Sequence, residues 1–501
     1  MTPPAILRWA CALLIAGAAF GAVAQDRPPP HRAPAQSVLR LLPPDSVTEH
    51  SIDTAQGKLA YTATAGTLPF FDQSGEQSAA VFYVAYVAKD KGGNRPLTFV
   101  FNGGPGAASA YLHLGLVGPR ILDLNLNGRD AVHATLHDNP DTWLRFTDLV
   151  MIDPIGTGWS RAAKPDEGRN FWNVEADAGA MAKAIALYVT HNNRFNSPKY
   201  LLGESYGGFR AAKTARAMQR EQGMSAAGIL MLSPLVEGWL TFGDDESALG
   251  SALTLPSLAA AELERKNALT PEAVVAAENF ALGDYLTTLA HGAPKGEAAR
   301  VFYQRVAQLT GLPFDVVEQQ RGFITGSAVK TLRRDKIVSR YDADFAVDDP
   351  FPERRSSHAP DPILDGISRA FGGAFANYAR NELGFKTEMT YQLLAGDVTH
   401  HWDWKGGRQQ EGIEGDLRVL LSFDPSFRVL IAHGYADLVT PYAETRYILE
   451  HMPAFTPPGR IALKLYRGGH MIYLDPASRQ AFTADAAALY RASESNGAAA
   501  R

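Results

Sequence analysis

Two kinds of hydrophobic periodicity alternate along this chain. Short, nearly unbroken apolar or β-rich runs occur at LTFVF (97–101), LVMID (149–153), YLL (200–202), GILML (228–232), RVLIAH (428–433) and LKLY (463–466). Between several of them lie longer amphipathic stretches, such as VEADAGAMAKAIALYVTH (174–191) and FRAAKTARAMQR (209–220). Strands that are apolar on both faces belong in a sheet covered on both sides, and amphipathic helices between them supply the covers. The pattern therefore predicts an α/β fold with a mostly parallel central sheet and helices on both faces. Ahead of these runs, GKLAYTATAGTL and AAVFYVAYVA alternate small, polar and large apolar residues, as antiparallel strands at a sheet edge do.

The texture changes between about 240 and 425. Helical patterns dominate there, including SLAAAELERKNALTPEAVVAAENFALGDYLTTLA and EAARVFYQRVAQL, followed by a polar stretch rich in Arg, Asp and Pro over 332–363. This segment reads as a helical cap inserted over the carboxyl edge of the sheet. The expected organisation is a core of residues 46–240 and 425–495 with an insertion at 241–424. No repeat of solenoid length interrupts this order.

The first residues carry a different signal. Arg8 is the only charge before Asp26; an apolar run from Trp9 to Phe20 follows, then Ala22-Val23-Ala24. A charged start, a short apolar centre and an A-x-A site form the pattern of a secretory signal peptide over 1–24. The proline-rich DRPPPHRAPAQ behind it predicts a disordered tether over 25–45. Cys11 is the only cysteine of the 501 residues, so cleavage would leave a protein without thiol or disulfide chemistry. Export to a bacterial periplasm or exterior is the expectation. The net charge of −5 forms no basic stripe, which argues against nucleic acid as a partner. No apolar run approaches the ~20 residues that span a bilayer, so no membrane insertion is expected after signal removal.

Candidate chemistry begins at YLLGESYGGF (200–209), where Ser205 lies between an apolar strand and a helical run. G-x-S-x-G in that context is a nucleophile elbow: small neighbours allow a sharp turn that exposes the hydroxyl, and the helix N-terminus favours developing negative charge. A serine needs a base, and the base needs an orienting group. Asp437 follows the fifth run in HGYADLVTP, and His470 follows the sixth in YRGGHMIYLDP. Both fall where open α/β sheets place their sites, in the order Ser, acid, His. An oxyanion hole needs two aimed backbone N–H groups. Tyr206, after the serine, is one candidate, and the glycine loop after LTFVF, Asn102-Gly103-Gly104-Pro105-Gly106, holds the other.

With these pieces in view, the chain resembles the serine carboxypeptidases of the α/β-hydrolase fold. The matching stretches are NGGPG (102–106), NPDTW (139–143), DPIGTGWS (153–160), GESYGG (203–208), HGYADLVTP (433–441) and GGHM (468–471), in the family's order. The resemblance implies Ser205, Asp437 and His470 as the triad, and the Gly104 and Tyr206 amides as the oxyanion hole. It implies no cofactor, a peptide or protein C-terminus as the substrate, and Asn102 with Glu204 as the site for its carboxylate. A glutamate can meet a carboxylate only by holding or sharing a proton. The chain departs from the family at Leu116, where a second glutamate is usual, at Val100 in place of a tryptophan, and at Ala107 in place of a cysteine. These changes bear on selectivity for a free C-terminus more than on hydrolysis. An esterase, acyltransferase or lyase on the same triad is the alternative.

Three other features read as structural. His400-His401-Trp402-Asp403-Trp404 lacks any metal-site spacing, and its aromatic residues suit packing of the insertion or a cleft wall. His433 ends a strand. Arginines in FPERRSSHAP (351–360) belong to a solvated loop. No nucleotide-binding glycine motif is present.

Overall fold

The structure, a computed structural model, describes residues 37–89, 94–124, 131–244, 246–292, 294–324, 336–353, 360–455 and 457–499. The signal-like segment 1–24 and Arg354 and Arg355 of the 351–360 loop lie outside the described residues.

The chain first builds an antiparallel meander, β1 (Ser46–Thr54), β2 (Gly57–Phe71) and β3 (Gln77–Ala88). The apolar runs then supply β4 (Leu97–Phe101), β5 (Asp148–Ile152), β7 (Lys199–Glu204), β8 (Gly228–Leu232), β9 (Arg428–Gly434) and β10 (Ile461–Tyr466). A short β6 (Arg161–Ala162) pairs with β3. Together they form a ten-stranded sheet in the order β1-β2-β3-β5-β4-β7-β8-β9-β10, with β6 at the side. From β5 to β10 every neighbouring pair is parallel.

All residues of β4, β5, β7 and β8 are buried, which is why these runs show no polar alternation. Each fully buried Val, Leu, Ile, Phe or Met there contributes about 1.5–3 kcal/mol relative to exposure. Two helices cover one face. Helix α1 (Val174–His191) starts at Asn173, whose side chain accepts from the Ala176 amide, and carries Glu175 and Asp177 in its first turn. Helix α2 (Tyr206–Gln222) stops at Gly223, a left-handed residue (φ 62°) that lets the Met224 amide reach the Met218 carbonyl. On the opposite face Phe482, Ala486 and Tyr490 of the C-terminal helix pack with Trp143 and Tyr200.

Between β8 and β9 lie helices α3 (Ala248–Arg265), α4 (Pro271–Phe280) and α5 (Gly296–Thr310), started by Ser247, by Thr270 with Pro271, and by Lys295. They share a small core of their own that includes Leu255, Phe280, Tyr285 and Val306. Ala436 and Leu438, flanking Asp437, belong to that core. Residues 340–343, within the polar stretch read over 332–363, pair with the loops after β9 and β10. The Leu438 amide donates to the Arg340 carbonyl (3.0 Å), Ala343 to Ala436 (3.0 Å), and His470 to Tyr341 (2.6 Å).

Residues 37–45 of the range read as a tether are among the described residues. Val38–Leu41 forms a 3₁₀ turn, and the Asp45 carboxylate accepts from the Thr67 amide (3.0 Å) and the Tyr83 hydroxyl (2.9 Å). Pro43 and Pro44 lead into Asp45, whose acidic side chain finds donors at the sheet edge. Among the described residues no helix is long and apolar enough to cross a membrane.

Arg210 of α2 ties the layers together. Its Nε donates to Asp177 of α1 at 2.7 Å, and its guanidinium also donates to the Asn102 carbonyl. Both charged side chains are almost fully buried. Removing one partner strands the other charge away from water. Arg210→Met should lower unfolding free energy in urea by about 3–5 kcal/mol; a loss below 1 kcal/mol would show that the pair is not a structural link.

Candidate active site

Ser205 is alone at the corner between β7 and α2, with φ 60° and ψ −128°. A non-glycine residue in that region is strained by about 1–3 kcal/mol and must be held by its surroundings. Its amide donates to the Leu232 carbonyl (2.9 Å), and its own carbonyl accepts from Gly208 (2.9 Å) and Leu235 (3.3 Å). A Cβ on Gly203 would lie 1.9 Å from the Gly207 carbonyl oxygen, and one on Gly207 would lie 2.6 Å from that of Phe101. Space alone demands glycine at both positions.

The glycine loop after β4 packs directly against this corner. A Cβ on Gly103 would meet the Tyr206 and Gly207 nitrogens at 2.6 Å. Gly104 (φ 106°) follows, joined to Pro105 by a cis peptide. Gly104, Ser205 and Tyr206 all line one cavity of about 150 Å³. Tyr206 is the first helical residue, so its amide has no carbonyl partner within the helix.

His470 enters the same cavity from the loop after β10. Its Nδ1 lies 2.8 Å from Asp437 Oδ2, and both residues are buried from solvent. Asp437 also accepts from the Val439 amide (2.8 Å), the Thr440 amide (3.1 Å) and the Thr440 hydroxyl (2.9 Å). Burial pushes the Asp437 carboxyl up, but the charge and hydrogen bond of His470 and the Thr440 amide outweigh it and hold the carboxyl low. Burial pushes His470 down, and Asp437 outweighs this, so the imidazole is raised above its ordinary value. With Nδ1 committed to Asp437, Nε2 is the free ring nitrogen; it is buried without a hydrogen-bond partner. Ser205 and His470 thus share a cavity without a direct hydrogen bond, a looseness common where no substrate is bound.

Beside Ser205, Glu204 is buried and its Oε2 accepts from Asn102 Nδ2 at 2.5 Å. The Asn102 amide orientation is fixed because its Oδ1 accepts from the Leu112 amide (3.0 Å). Tyr473 donates its hydroxyl to the Glu204 carboxyl, at 3.0 and 3.2 Å from the two oxygens. Burial raises Glu204 to about 7, against the opposing pull of His470, Tyr473 and Asn102. His470 and Glu204 each shift the other, so their protonation is coupled.

Sequence reasoning missed Tyr473, Thr440 and the Tyr341 carbonyl. Thr440 was visible inside HGYADLVTP as a hydroxyl three residues after the acid. Tyr473 follows His470 by three residues, in the middle of the 3₁₀ turn Ile472–Leu474. Tyr341 carried no local signal. The HHWDW stretch is not extended: His400 ends a short helix, and His401 Nδ1 lies 2.9 Å from Asp397 one turn back. Trp402 and Trp404 pack edge-on to Tyr206, with centroids 5.2 and 5.7 Å away, and Trp404 lines the cavity. His433 is buried, bonded to the Thr445 hydroxyl (2.9 Å) and depressed to about 4 by burial. Leu116 is fully buried in the core and is not among the residues lining the cavity.

The architecture is that of the α/β-hydrolases. In fold the chain is similar to a prohormone-processing carboxypeptidase from Saccharomyces cerevisiae, with a TM-score of 0.52 and 16% identity over 89% of this chain and 94% of that one. Residues 57–231, about a third of the chain, match the family model described as serine carboxypeptidase. Similar proteins include Serine carboxypeptidase-like 31 of Arabidopsis thaliana, 26% identical over 155 residues, 30% of each chain. The pheromone-processing carboxypeptidase KEX1 of Cryptococcus gattii is 29% identical over 154 residues, 29% of this chain and 22% of that one. The matched stretches thus span less than a third of these relatives. The family-model match over 57–231 includes the glycine loop and the serine, whereas Asp437 and His470 lie beyond it.

Gly203→Ala tests the corner. The added methyl has only backbone to displace, so the variant should lose several degrees in Tm and most hydrolysis of a reactive ester. Unchanged Tm and turnover would show that the corner is not held as described.

Proposed function

We propose that this chain is a serine carboxypeptidase that removes C-terminal residues from peptides through an acyl-enzyme. The observation that supports the reading most strongly is a single cavity lined by Ser205, His470 and Glu204, in which the imidazole is bonded to a buried carboxylate and Glu204 to an asparagine amide.

In the proposed reaction His470 Nε2 takes the proton of the Ser205 hydroxyl as its oxygen attacks the last peptide carbonyl. The carbonyl oxygen becomes an anion held by the Gly104 and Tyr206 N–H groups. Asp437 keeps the imidazole oriented and stabilises its positive charge. His470 then gives the proton to the leaving amine, the C-terminal amino acid departs, and water repeats the cycle on the acyl-enzyme with His470 again as base. Asn102 and protonated Glu204 hold the substrate's terminal carboxylate. The leader-like pattern of residues 1–24 supports an exported site of action.

The proposal has a definite pH signature. The active form carries one proton, on Glu204, with His470 neutral. Protonation of His470 removes the base as pH falls through its raised pKa. Ionisation of Glu204 removes the carboxylate partner as pH rises through about 7. Rates with a free-acid peptide should be bell-shaped, while the C-terminal amide should lack the alkaline limb set by Glu204. Glu204→Gln, which cannot ionise, should remove that limb for the free acid. An unchanged alkaline limb in this variant would overturn the carboxylate role.

Leu116, in place of a second acid, favours one rival reading, an esterase or acyltransferase on the same residues. A free-acid peptide cleaved no faster than its amide at every pH would support that rival. Either reading requires the nucleophile: Ser205→Ala should reduce kcat by about 10⁴-fold or more, and turnover at the wild-type rate would refute both.

A further inference from the structure

The proposed carboxylate site is short of donors, since Asn102 and Glu204 bind one another and the chain has no acid at Leu116. Resting on the carboxypeptidase reading, we propose that the Tyr111 hydroxyl is a third, neutral donor to the substrate's terminal carboxylate.

Tyr111 sits on the short turn Ala110–Leu112 that follows the glycine loop. The next residue, Leu112, donates its amide to Asn102 Oδ1, so the turn and the asparagine are positioned together. The ring packs on Phe371 (centroids 5.4 Å apart) and lines the same cavity as Glu204 and Ser205. Only 4% of the residue is exposed, yet its hydroxyl oxygen has no hydrogen-bond partner. The Ser368 hydroxyl lies close enough to interact with the phenol and draw its pKa down against burial, but not within hydrogen-bond geometry, and its own proton goes to the Leu364 carbonyl (2.9 Å). A buried phenol without a partner is unfavourable and marks a site awaiting an acceptor. In the same cavity Asn102 and Glu204 already have partners inside the protein, and Tyr473 spends its hydroxyl on Glu204.

The chemistry of the exchange is direct. A glutamate must be protonated to receive a carboxylate, whereas a phenol donates in its ordinary neutral form. Burial raises the Tyr111 hydroxyl further, so it stays protonated well above neutrality. The consequence is a preference for free acids that weakens when Glu204 ionises but does not vanish.

The test is Tyr111→Phe, which keeps the ring and removes the donor. Wild type and variant are compared on a blocked dipeptide with a free C-terminus and on its C-terminal amide, at pH 6 and pH 8.5. The free-acid to amide ratio of kcat/KM should fall about 10- to 100-fold in the variant, mostly through KM for the free acid, at both pH values. An unchanged ratio, or equal losses on both substrates, would overturn the proposal and leave Tyr111 as packing. A wild-type enzyme without free-acid preference would instead overturn the carboxypeptidase reading, and this inference with it.

Discussion

A carboxylate kept ionised away from water is the constraint on which this site depends. Asp437 is fully buried, and in isolation such a group would take up a proton. It stays charged because two amides, a threonine hydroxyl and the His470 ring all donate to it. That cluster fixes the imidazole by Nδ1 and leaves Nε2 toward the cavity. It also explains the architecture of the insertion. The 340–343 segment hydrogen-bonds to both the acid loop and the histidine loop, so the groups that need rigidity are braced from the sheet below and from the insertion.

The second organising feature is the opposition of two titratable groups in one small cavity. Burial moves Glu204 up, and Asp437 moves His470 up against its own burial, so the charge of each bears on the other. Under the proposed mechanism the useful arrangement places the proton on the carboxyl and leaves the ring neutral. The opposite arrangement has the same number of protons and is inactive. Tyr473 and Asn102 bear on this balance, because their hydrogen bonds favour the ionised carboxylate, and the substrate's own negative charge favours the acid form.

Much of this could be read from residue patterns because each feature had a local cause. The central parallel strands β4, β5, β7 and β8 show apolar runs since both faces are covered. Helix α1 spans Val174–His191, the run that the periodicity marked. Ser205 was legible because an elbow needs Gly203 and Gly207 at fixed offsets. The parts that stayed hidden depend on distant partners. Nothing near Tyr341 signals that its carbonyl would meet the His470 amide. In the polar 332–363 stretch the sequence shows the charges but not the backbone pairing of 340–343. Asp45 likewise lay in a range assigned to the tether, and only the neighbouring edge strand supplies its donors.

The central claim is that Ser205 is made nucleophilic by a histidine held by Asp437. Labelling of the purified protein with a fluorophosphonate, followed by mass spectrometry of its peptides, tests this most directly. The account predicts a single adduct on Ser205, formed far more slowly in His470→Ala. No adduct, an adduct on another serine, or an undiminished rate without the histidine would contradict it.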